Sequence, residues 1–266
     1  MKKNPIGIID VSVDGLNILS SLTKEFKNED FIYFNDIKNL PYEGKDPSII
    51  HKYIKANLEF LLSQNIKLLI VISDTICEYG EEILSSINVP VIQIVDSIIN
   101  YMNKNYENKN IILCSKDYIL KANLYQKNIK YNHLYSISSN KMESIISNDK
   151  IKTMKSFNVA FDSFKTIQSK DLDVLVYTAP WIELLKTEIN EALKVKEIIK
   201  IGDIISSSIK ESKIDFYKNR KGKITVFTTA SKEEFSKLIP WFNLKYKFNQ
   251  IELDYGQDRT TEKDNK

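Results

Sequence analysis

Short apolar runs alternate with amphipathic segments along most of the chain, and this alternation predicts strands and helices in turn. Most of the runs are nearly continuous in Val, Ile, Leu, Phe or Tyr and are bounded by polar residues. Continuous apolar runs are typical of strands that are buried on both faces of a parallel sheet. Strands are predicted at residues 6–9, 31–34, 68–72, 91–95, 111–113, 132–136, 172–177, 198–201 and 224–228.

The segments between these strands carry apolar residues at helical spacing. Helices are predicted at residues 15–26, 46–64, 76–87, 115–127, 180–193, 203–211 and 232–243. This alternation predicts an α/β protein with mainly parallel sheets flanked by helices. Nine strands are many for one sheet, so we predict two α/β domains with a cleft between them. The first comprises 1–97 and 208–255, the second comprises 98–207, and 256–266 form a polar tail.

Composition argues against several classes of protein. The 266 residues are 42% hydrophobic and 27% charged, with 38 basic against 35 acidic residues and a net charge of +3. This balance gives no indication of a nucleic-acid partner. No apolar stretch reaches the roughly 18 residues that suggest a membrane span. The first ten residues make a poor signal peptide, so a cytoplasmic protein is expected.

Few residues point to a metal or a cofactor. The two cysteines, Cys77 and Cys114, fit no metal-ligand spacing, and the seven glycines form no phosphate-binding loop. His51 and His133 have no partner suggested by spacing, so surface positions are predicted for both. We therefore expect neither a metal nor a cofactor.

Polar residues follow the first and third predicted strands. Asp10 ends the strand in "IGIID", and Ser73, Asp74 and Thr75 follow "LLIVI". Open α/β sheets bind ligands beyond the carboxyl ends of their strands, so these side chains are candidate site residues. Local structure offers a second interpretation, because Asp10 can cap a helix and Thr75 with Glu78 can form a capping box. The residues alone leave both interpretations open.

Two further segments have the composition of turns. In "LPYEGKDP", Asp46 before a proline is typical of a helix N-cap, which makes Tyr42 and Glu43 loop residues. In "YTAPWIELL", Pro180 suits the first turn of a helix, and Trp181 can cover the edge of the sheet.

Taken together, five segments resemble glutamate racemase, of the aspartate/glutamate racemase superfamily. Three of them are "PIGIIDVSVDGL", similar to P-I-G-V-F-D-S-G-V-G-G-L; "YFNDIKNLPYEGKDP", similar to Y-F-G-D-T-A-R-x-P-Y-G-x-K-x-P; and "LLIVISDT", similar to a strand that ends in A-C-N-T. The other two are "DVLVYTAPWIELL", similar to D-x-L-V-L-G-C-T-H-x-P-L-L, and "VFTTASKEEFSKL", similar to F-x-T-T-G-x-x-x-x-F. The resemblance covers nearly the whole chain and implies the racemase fold, with a cleft between two domains.

The resemblance also implies which positions would carry the chemistry. The family's two cysteines move the substrate's α-proton from opposite faces, and each should titrate not far from the working pH. These positions hold Ser73 and Ala179 here. An alcohol is a far weaker acid than a free thiol, whose pKa is about 8.5, and alanine carries no proton. Cys77 lies about one helical turn beyond Ser73, and Cys114 matches neither position.

The remaining pocket positions that the resemblance implies are partly replaced. The family's residues are retained at Asp10, Pro41, Tyr42 and Thr75. The family's serine, glycine, asparagine, threonine and histidine are replaced by Val11, Glu43, Asp74, Pro180 and Trp181. The bulkier tryptophan is expected to narrow the cleft, and the added carboxylates are expected to disfavour glutamate, whose net charge is negative.

These departures predict a glutamate racemase-like protein that has lost two-cysteine racemisation and acts as a non-catalytic homologue, binding a ligand or a partner. One alternative is an enzyme that uses Asp10 or Asp74 as a single base. Another is a glutamate racemase that still supplies D-glutamate for the peptidoglycan of the cell wall. The partners considered are a small molecule in the cleft, a protein, and a second copy of the chain as a homodimer. Neither a nucleic acid nor a membrane is expected.

Overall fold

The computed structural model describes residues 4–255, so the predicted polar tail at 256–266 lies outside the described residues. Within the described range, the strands of the first sheet are β1 Ile6–Asp10, β2 Phe31–Asn35, β3 Leu68–Val71, β4 Val91–Gln93, β9 Ile224–Thr228 and β10 Lys247–Gln250. The strands of the second sheet are β5 Asn110–Ser115, β6 His133–Ser138, β7 Val174–Tyr177 and β8 Glu197–Ile198.

Both sheets are parallel throughout. The first sheet has the strand order β10-β9-β2-β1-β3-β4, and the second has the order β6-β5-β7-β8. Every strand pairs in parallel with its neighbours, for example Ile8 of β1 with Tyr33 of β2 and with Ile70 of β3. The predicted architecture of two mainly parallel sheets flanked by helices is therefore confirmed.

Helices connect successive strands. They are α1 Leu16–Glu25, α2 Pro47–Ser63, α3 Asp74–Tyr79, α4 Glu81–Ser85, α5 Ile94–Asn105, α6 Asp117–Ala122, α7 Asn140–Ser147, α8 Met154–Phe164, α9 Lys186–Ala192, α10 Ile201–Glu211 and α11 Lys232–Leu238. Short 3₁₀ helices occupy Ile37–Asn39 and Pro180–Leu185. None of the helices within residues 4–255 is long and apolar enough to cross a membrane.

The apolar runs form the centre of the first sheet. All five residues of β1 and all four of β3 are buried. α1 covers this sheet with Leu16, Leu19 and Leu22, which recur at helical spacing and are fully buried. Burial of one leucine side chain contributes about 1.5–3 kcal/mol, so these repeated contacts fix the sheet and its helices as one layered body.

Two helices connect the two sheets. α5 leads from β4 to β5, and α10 leads from β8 back to β9. The two helices contact each other, with the hydroxyl oxygens of Ser97 and Ser208 3.3 Å apart. The predicted domain limits at 97/98 and 207/208 fall inside these helices, and they stay a prediction.

Two predicted strands are shorter in the structure because helices begin inside their apolar runs. The strand predicted at 91–95 ends at Gln93, and α5 begins at Ile94. The strand predicted at 198–201 is only Glu197–Ile198, and α10 begins at Ile201. An apolar run carries no signal for this change, because strand and helix bury the same residues.

Two predicted helices are also interrupted. The helix predicted at 76–87 divides at Gly80, where an added Cβ would lie 2.6 Å from the carbonyl oxygen of Ile76. The helix predicted at 115–127 is reduced to α6, because Ser115 still belongs to β5 and Asn123 has a left-handed φ of 54°. The predicted N-cap at Asp46 is confirmed, since its side chain accepts a hydrogen bond from Ser48 N–H.

Candidate ligand site between the two sheets

A small cavity lies where the carboxyl ends of strands from both sheets meet. Its volume is about 30 Å³, which is room for about two water molecules. Small-molecule pockets usually have volumes of about 300–1,000 Å³. The lining residues follow β1, β3, β5 and β7 and are Asp10, Val11, Ser12, Asp14, Ile72, Ser73, Asp74, Thr75, Lys116, Tyr118, Thr178 and Ala179. Six of the eleven predicted pocket residues are therefore brought together here.

Asp10 is held in place by four donors. Its Oδ1 accepts hydrogen bonds from the N–H groups of the next two residues, at 2.7 and 3.2 Å. Its Oδ2 accepts from Gly15 N–H and from the Tyr33 hydroxyl, both at 2.9 Å. Because Gly15 directly precedes α1, Asp10 organises the turn into that helix. Burial and the charge of Asp14 raise the pKa of Asp10 to about 7, although the backbone donors lower it.

Ser73 caps α3, and Thr75 has a different role. Ser73 Oγ accepts a hydrogen bond from the N–H group three residues later, at 3.3 Å. The Thr75 hydroxyl lies 3.3 Å from the hydroxyl of Tyr118, which follows β5 in the second sheet. The predicted capping box of Thr75 with Glu78 is therefore wrong, because the helix begins at Asp74 and its cap lies one residue earlier.

The Asp74 carboxyl group faces the second sheet. It accepts a hydrogen bond of 2.5 Å from the Tyr125 hydroxyl. Burial raises the pKa of Asp74 to about 7; the Tyr125 hydrogen bond and the charge of Lys116 lower it, while Asp14 and Glu143 raise it. Two carboxyl groups of the cavity thus change charge near neutral pH.

Lys116 is a lining residue that the sequence motifs did not indicate. Its Nζ lies 3.5 Å from Glu143 Oε2. Burial lowers the pKa of Lys116, but the charges of Glu143, Asp14 and Asp74 outweigh it and raise the pKa overall, so the side chain is a cation. It directly follows β5, just as Ser73 lies just beyond β3. The expectation that site residues follow the carboxyl ends of strands, which selected Asp10 and Ser73, would therefore also have selected Lys116.

The segment after β7 divides between the cavity and the surrounding structure. Ala179 lines the cavity and is buried. The carbonyl oxygen of Pro180 accepts a hydrogen bond from Asn17 Nδ2 at 3.0 Å. Trp181 Nε1 donates to Glu143 Oε2 at 3.3 Å, and its partly buried ring is not among the cavity-lining residues. Trp181 thus contacts the cavity only indirectly: it hydrogen-bonds to Glu143, which pairs with the lining residue Lys116.

The predicted pocket residues at 41–43 lie outside the cavity lining. The Tyr42 hydroxyl donates a hydrogen bond of 2.6 Å to the buried carboxylate of Asp36, which also accepts from Asn57 Nδ2. Pro41 and Glu43 are exposed. This segment therefore supports the first sheet. Burial raises the pKa of the lining residue Tyr118, and the charge of Glu43 adds to this effect.

Both cysteines are buried and free, and neither lines the cavity. Burial raises the pKa of the Cys77 thiol, and the neighbouring charge of Asp74 raises it further. Burial likewise raises the pKa of Cys114, with Glu143 adding to the shift. Within residues 4–255, no group of three or more His, Cys, Asp or Glu side chains is arranged to hold a metal ion.

Comparison with known proteins identifies relatives along most of the chain. No protein-family model matches. The glutamate racemase of Fusobacterium nucleatum is 26% identical over 246 residues, which cover 88% of this chain and 92% of that protein. The glutamate racemase of Thermoanaerobacter pseudethanolicus is 25% identical over 247 residues, which cover 89% and 92%.

Solved structures agree with the sequence comparison. The crystal structure of a glutamate racemase from Bacillus anthracis superposes with a TM-score of 0.81 at 19% identity, covering 95% of this chain and 98% of that chain. The two-sheet architecture is therefore that of the glutamate racemases, and the resemblance found in the sequence motifs is confirmed.

Proposed function

We propose that this chain, a homologue of the glutamate racemases, does not racemise glutamate through two thiols and instead binds a small neutral or cationic molecule between its two sheets. One observation carries the proposal: the cavity presents Ser73 and Ala179, while both thiols are buried elsewhere. A hydroxyl and a methyl group cannot replace a pair of thiols as proton carriers near neutral pH.

The charge of the cavity supports a neutral or cationic guest. Asp10, Asp14 and Asp74 line it, Glu143 lies behind Lys116, and among residues 4–255 Lys116 is the only cation in the lining. A guest that carries two carboxylates, such as glutamate, would be repelled by these acidic side chains. At an effective dielectric of 20, two like charges about 4 Å apart repel by about 4 kcal/mol.

The contacts across the cavity indicate how a guest would enter. The space of about 30 Å³ is too small for any ligand beyond a few waters. Hydrogen bonds between the two sides run from Tyr125 to Asp74 and between Tyr118 and Thr75. Binding therefore requires the two sides to separate and these hydrogen bonds to be exchanged for contacts with the guest.

The first test is isotope exchange. Either enantiomer of glutamate, incubated with the protein in deuterium oxide, should acquire no deuterium at the α-carbon beyond a protein-free control. Racemisation through a carbanion must exchange this proton, so nuclear magnetic resonance of the recovered glutamate measures it directly. Protein-dependent deuterium incorporation would overturn the proposal, and the Ser73→Ala variant would then show whether Ser73 carries the proton.

A second prediction concerns pH. Putrescine, a diamine that stays cationic in this range, should bind several-fold more tightly at pH 8 than at pH 6. Asp10 and Asp74 have pKa values of about 7, so both gain negative charge across this interval. Titration calorimetry at the two pH values measures the change. Asp74→Asn should reduce the pH dependence, and tighter binding of glutamate than of putrescine would contradict the predicted charge preference.

The same two carboxyl groups favour one alternative function. A carboxylate whose pKa lies near the working pH is suited to act as a general base. A single-base enzyme using Asp10 or Asp74 would exchange a proton of some other carbon acid. The deuterium experiment, repeated with a panel of neutral and basic amino acids, separates this alternative from simple binding. A cytoplasmic location, a protein partner and a homodimer stay predictions.

A further inference from the structure

A second and larger cavity lies at the amino-terminal edge of the first sheet, whereas the candidate site lies at the carboxyl end. Its volume is about 1380 Å³, above the range of about 300–1,000 Å³ typical of small-molecule pockets. It is formed by the end of α1, the loop at 219–223, and the residues at which β9 and β10 begin. We name it the basic groove after six lysines in its lining: Lys24, Lys27, Lys221, Lys223, Lys245 and Lys247.

The positive charge of the basic groove is not compensated. All six lysines are exposed, and none forms an ion pair with another residue in the range 4–255. Glu29, the one carboxylate among the lining residues that the structure describes, is bound by Lys67 Nζ at 2.6 Å and by the Tyr217 N–H group at 2.5 Å. Neighbouring Asp30 is bound by Arg220 at 2.5 Å.

The backbone fixes the loop that carries two of these lysines. Gly222 N–H donates to the Lys27 carbonyl oxygen at 2.9 Å, and Phe31 N–H donates to the Lys223 carbonyl oxygen at 2.8 Å. Gly222 packs so closely that an added Cβ would lie 1.9 Å from the Glu29 carbonyl oxygen. The backbone of the loop is thereby held beside the end of α1 and the residues just beyond it, which carry Lys24 and Lys27, and this lowers the ordering cost of binding a polyanion.

We propose that the basic groove binds single-stranded nucleic acid through its phosphates, without sequence preference. Proteins that bind single strands in this way combine a positively charged groove, which follows the phosphates, with aromatic side chains on which the bases stack. Within the lining, Ile224 and Leu244 supply partly buried apolar surface, and Tyr246 supplies one partly buried ring, which also packs against Phe235 and Phe242.

The composition of the groove favours nucleic acid over other polyanions. Protein interfaces are enriched in arginine and depleted in lysine, whereas this groove is rich in lysine and its Arg220 is already paired with Asp30. The head groups of a lipid surface lie in one plane, whereas the six lysines are carried by three separate segments that surround a concave groove. The phosphates of a flexible strand can change their relative positions to contact lysines from all three segments.

Net charge gave no indication of this surface. The six lysines come from three segments that span more than half of the chain, and the total charge is only +3. Folding brings the three segments together while the nearby carboxylates are used in ion pairs. The proposal therefore replaces the expectation, based on charge balance, that no nucleic acid binds.

Fluorescence anisotropy with labelled oligothymidine of about 20 nucleotides tests the proposal. At about 50 mM salt we expect a dissociation constant below roughly 100 µM. The logarithm of the affinity should fall with the logarithm of salt concentration, with a slope of about −4 if all six lysines contact phosphates. The double variant Lys221→Gln/Lys245→Gln should bind roughly tenfold more weakly, and its slope should be less steep by about 1.4.

A matched control variant has the same net charge as the groove variant. Lys141→Gln/Lys155→Gln removes two exposed lysines from α7 and α8, beside the second sheet, and should leave both affinity and slope unchanged. The proposal fails if the wild-type protein does not bind oligothymidine at about 50 mM salt, or if the control pair weakens binding as much as the groove pair does. It also fails if a polyglutamate peptide of equal charge competes as well as unlabelled oligothymidine, since the groove would then select acidic proteins equally. None of these outcomes depends on the guest of the candidate ligand site.

Discussion

Replacing Lys67 by methionine should lower the free energy of unfolding by about 3–5 kcal/mol. Lys67 Nζ lies 2.6 Å from Glu29 Oε2, and the two side chains are 3% and 1% exposed. The same Nζ donates to the carbonyl oxygen of Asp215 at 2.7 Å. Methionine keeps most of the side-chain volume but leaves the Glu29 carboxylate buried without a cation, and the large cost comes from that unpaired charge.

Chemical denaturation monitored by circular dichroism measures this loss. The double variant Glu29→Gln/Lys67→Met should recover a large part of it, because no unpaired charge then remains. Lys55→Met is a matched surface control, since Lys55 pairs with Glu59 at 4.0 Å and both side chains are more than half exposed. Its effect should be about 0.5 kcal/mol or less. A loss below about 1 kcal/mol for Lys67→Met would show that the buried pair contributes little.

The fold was predictable wherever burial on both faces produces a continuous apolar run. β1, β2 and β9 were predicted within one residue of their observed ends for this reason. β10 was not predicted, because its sequence, Lys-Phe-Asn-Gln, is short and mostly polar. It forms an edge strand of the sheet and is only partly buried, so it needs no continuous apolar run. The start of α5 at Ile94 was not predicted for the opposite reason. Ile94 and Val95 continue the apolar run, and such residues are buried equally well in a strand or in a helix.

The positions that line the candidate site were predictable from strand ends and motifs, but the pairs that their side chains form were not. Asp10 and Ser73 follow buried strands, so their approach to one cavity follows from the parallel sheet. The cavity's lining carboxylates also belong to the first sheet, whereas the side chains that hydrogen-bond to Asp74 and pair with Lys116 belong to the second. Tyr125 lies 51 residues beyond its partner Asp74, and Lys116 is paired with Glu143, which belongs to a helix that was not predicted. The Tyr125–Asp74 hydrogen bond depends on how the two sheets face each other, and the Lys116–Glu143 pair depends on how α7 packs beside β5. No local pattern encodes either arrangement.

Restoring both thiols should not restore racemisation. We expect the double variant Ser73→Cys/Ala179→Cys to racemise glutamate at least about a hundredfold more slowly than the Fusobacterium nucleatum glutamate racemase, because a reacting group misplaced by about 1 Å can alone cost this much. The electrostatics of the cavity add to the loss. At Cys77, one helical turn beyond Ser73, burial and the charge of Asp74 raise the thiol pKa. A new thiol at position 73, directly beside Asp74, would meet the same conditions and stay protonated at neutral pH.

A triple variant isolates the electrostatic part of this argument. Adding Asp74→Asn to the two cysteine substitutions removes the carboxylate next to the new thiol and supplies a neutral amide in its place. Its thiol at position 73 should react faster with iodoacetamide at pH 7 than the same thiol in the double variant, because a lower pKa leaves more thiolate. Racemisation is followed in parallel by circular dichroism of glutamate. If the double variant racemises within about tenfold of the Fusobacterium nucleatum protein, then the cavity opens and orients glutamate correctly, and the absence of the two thiols is the whole difference between this chain and a racemase.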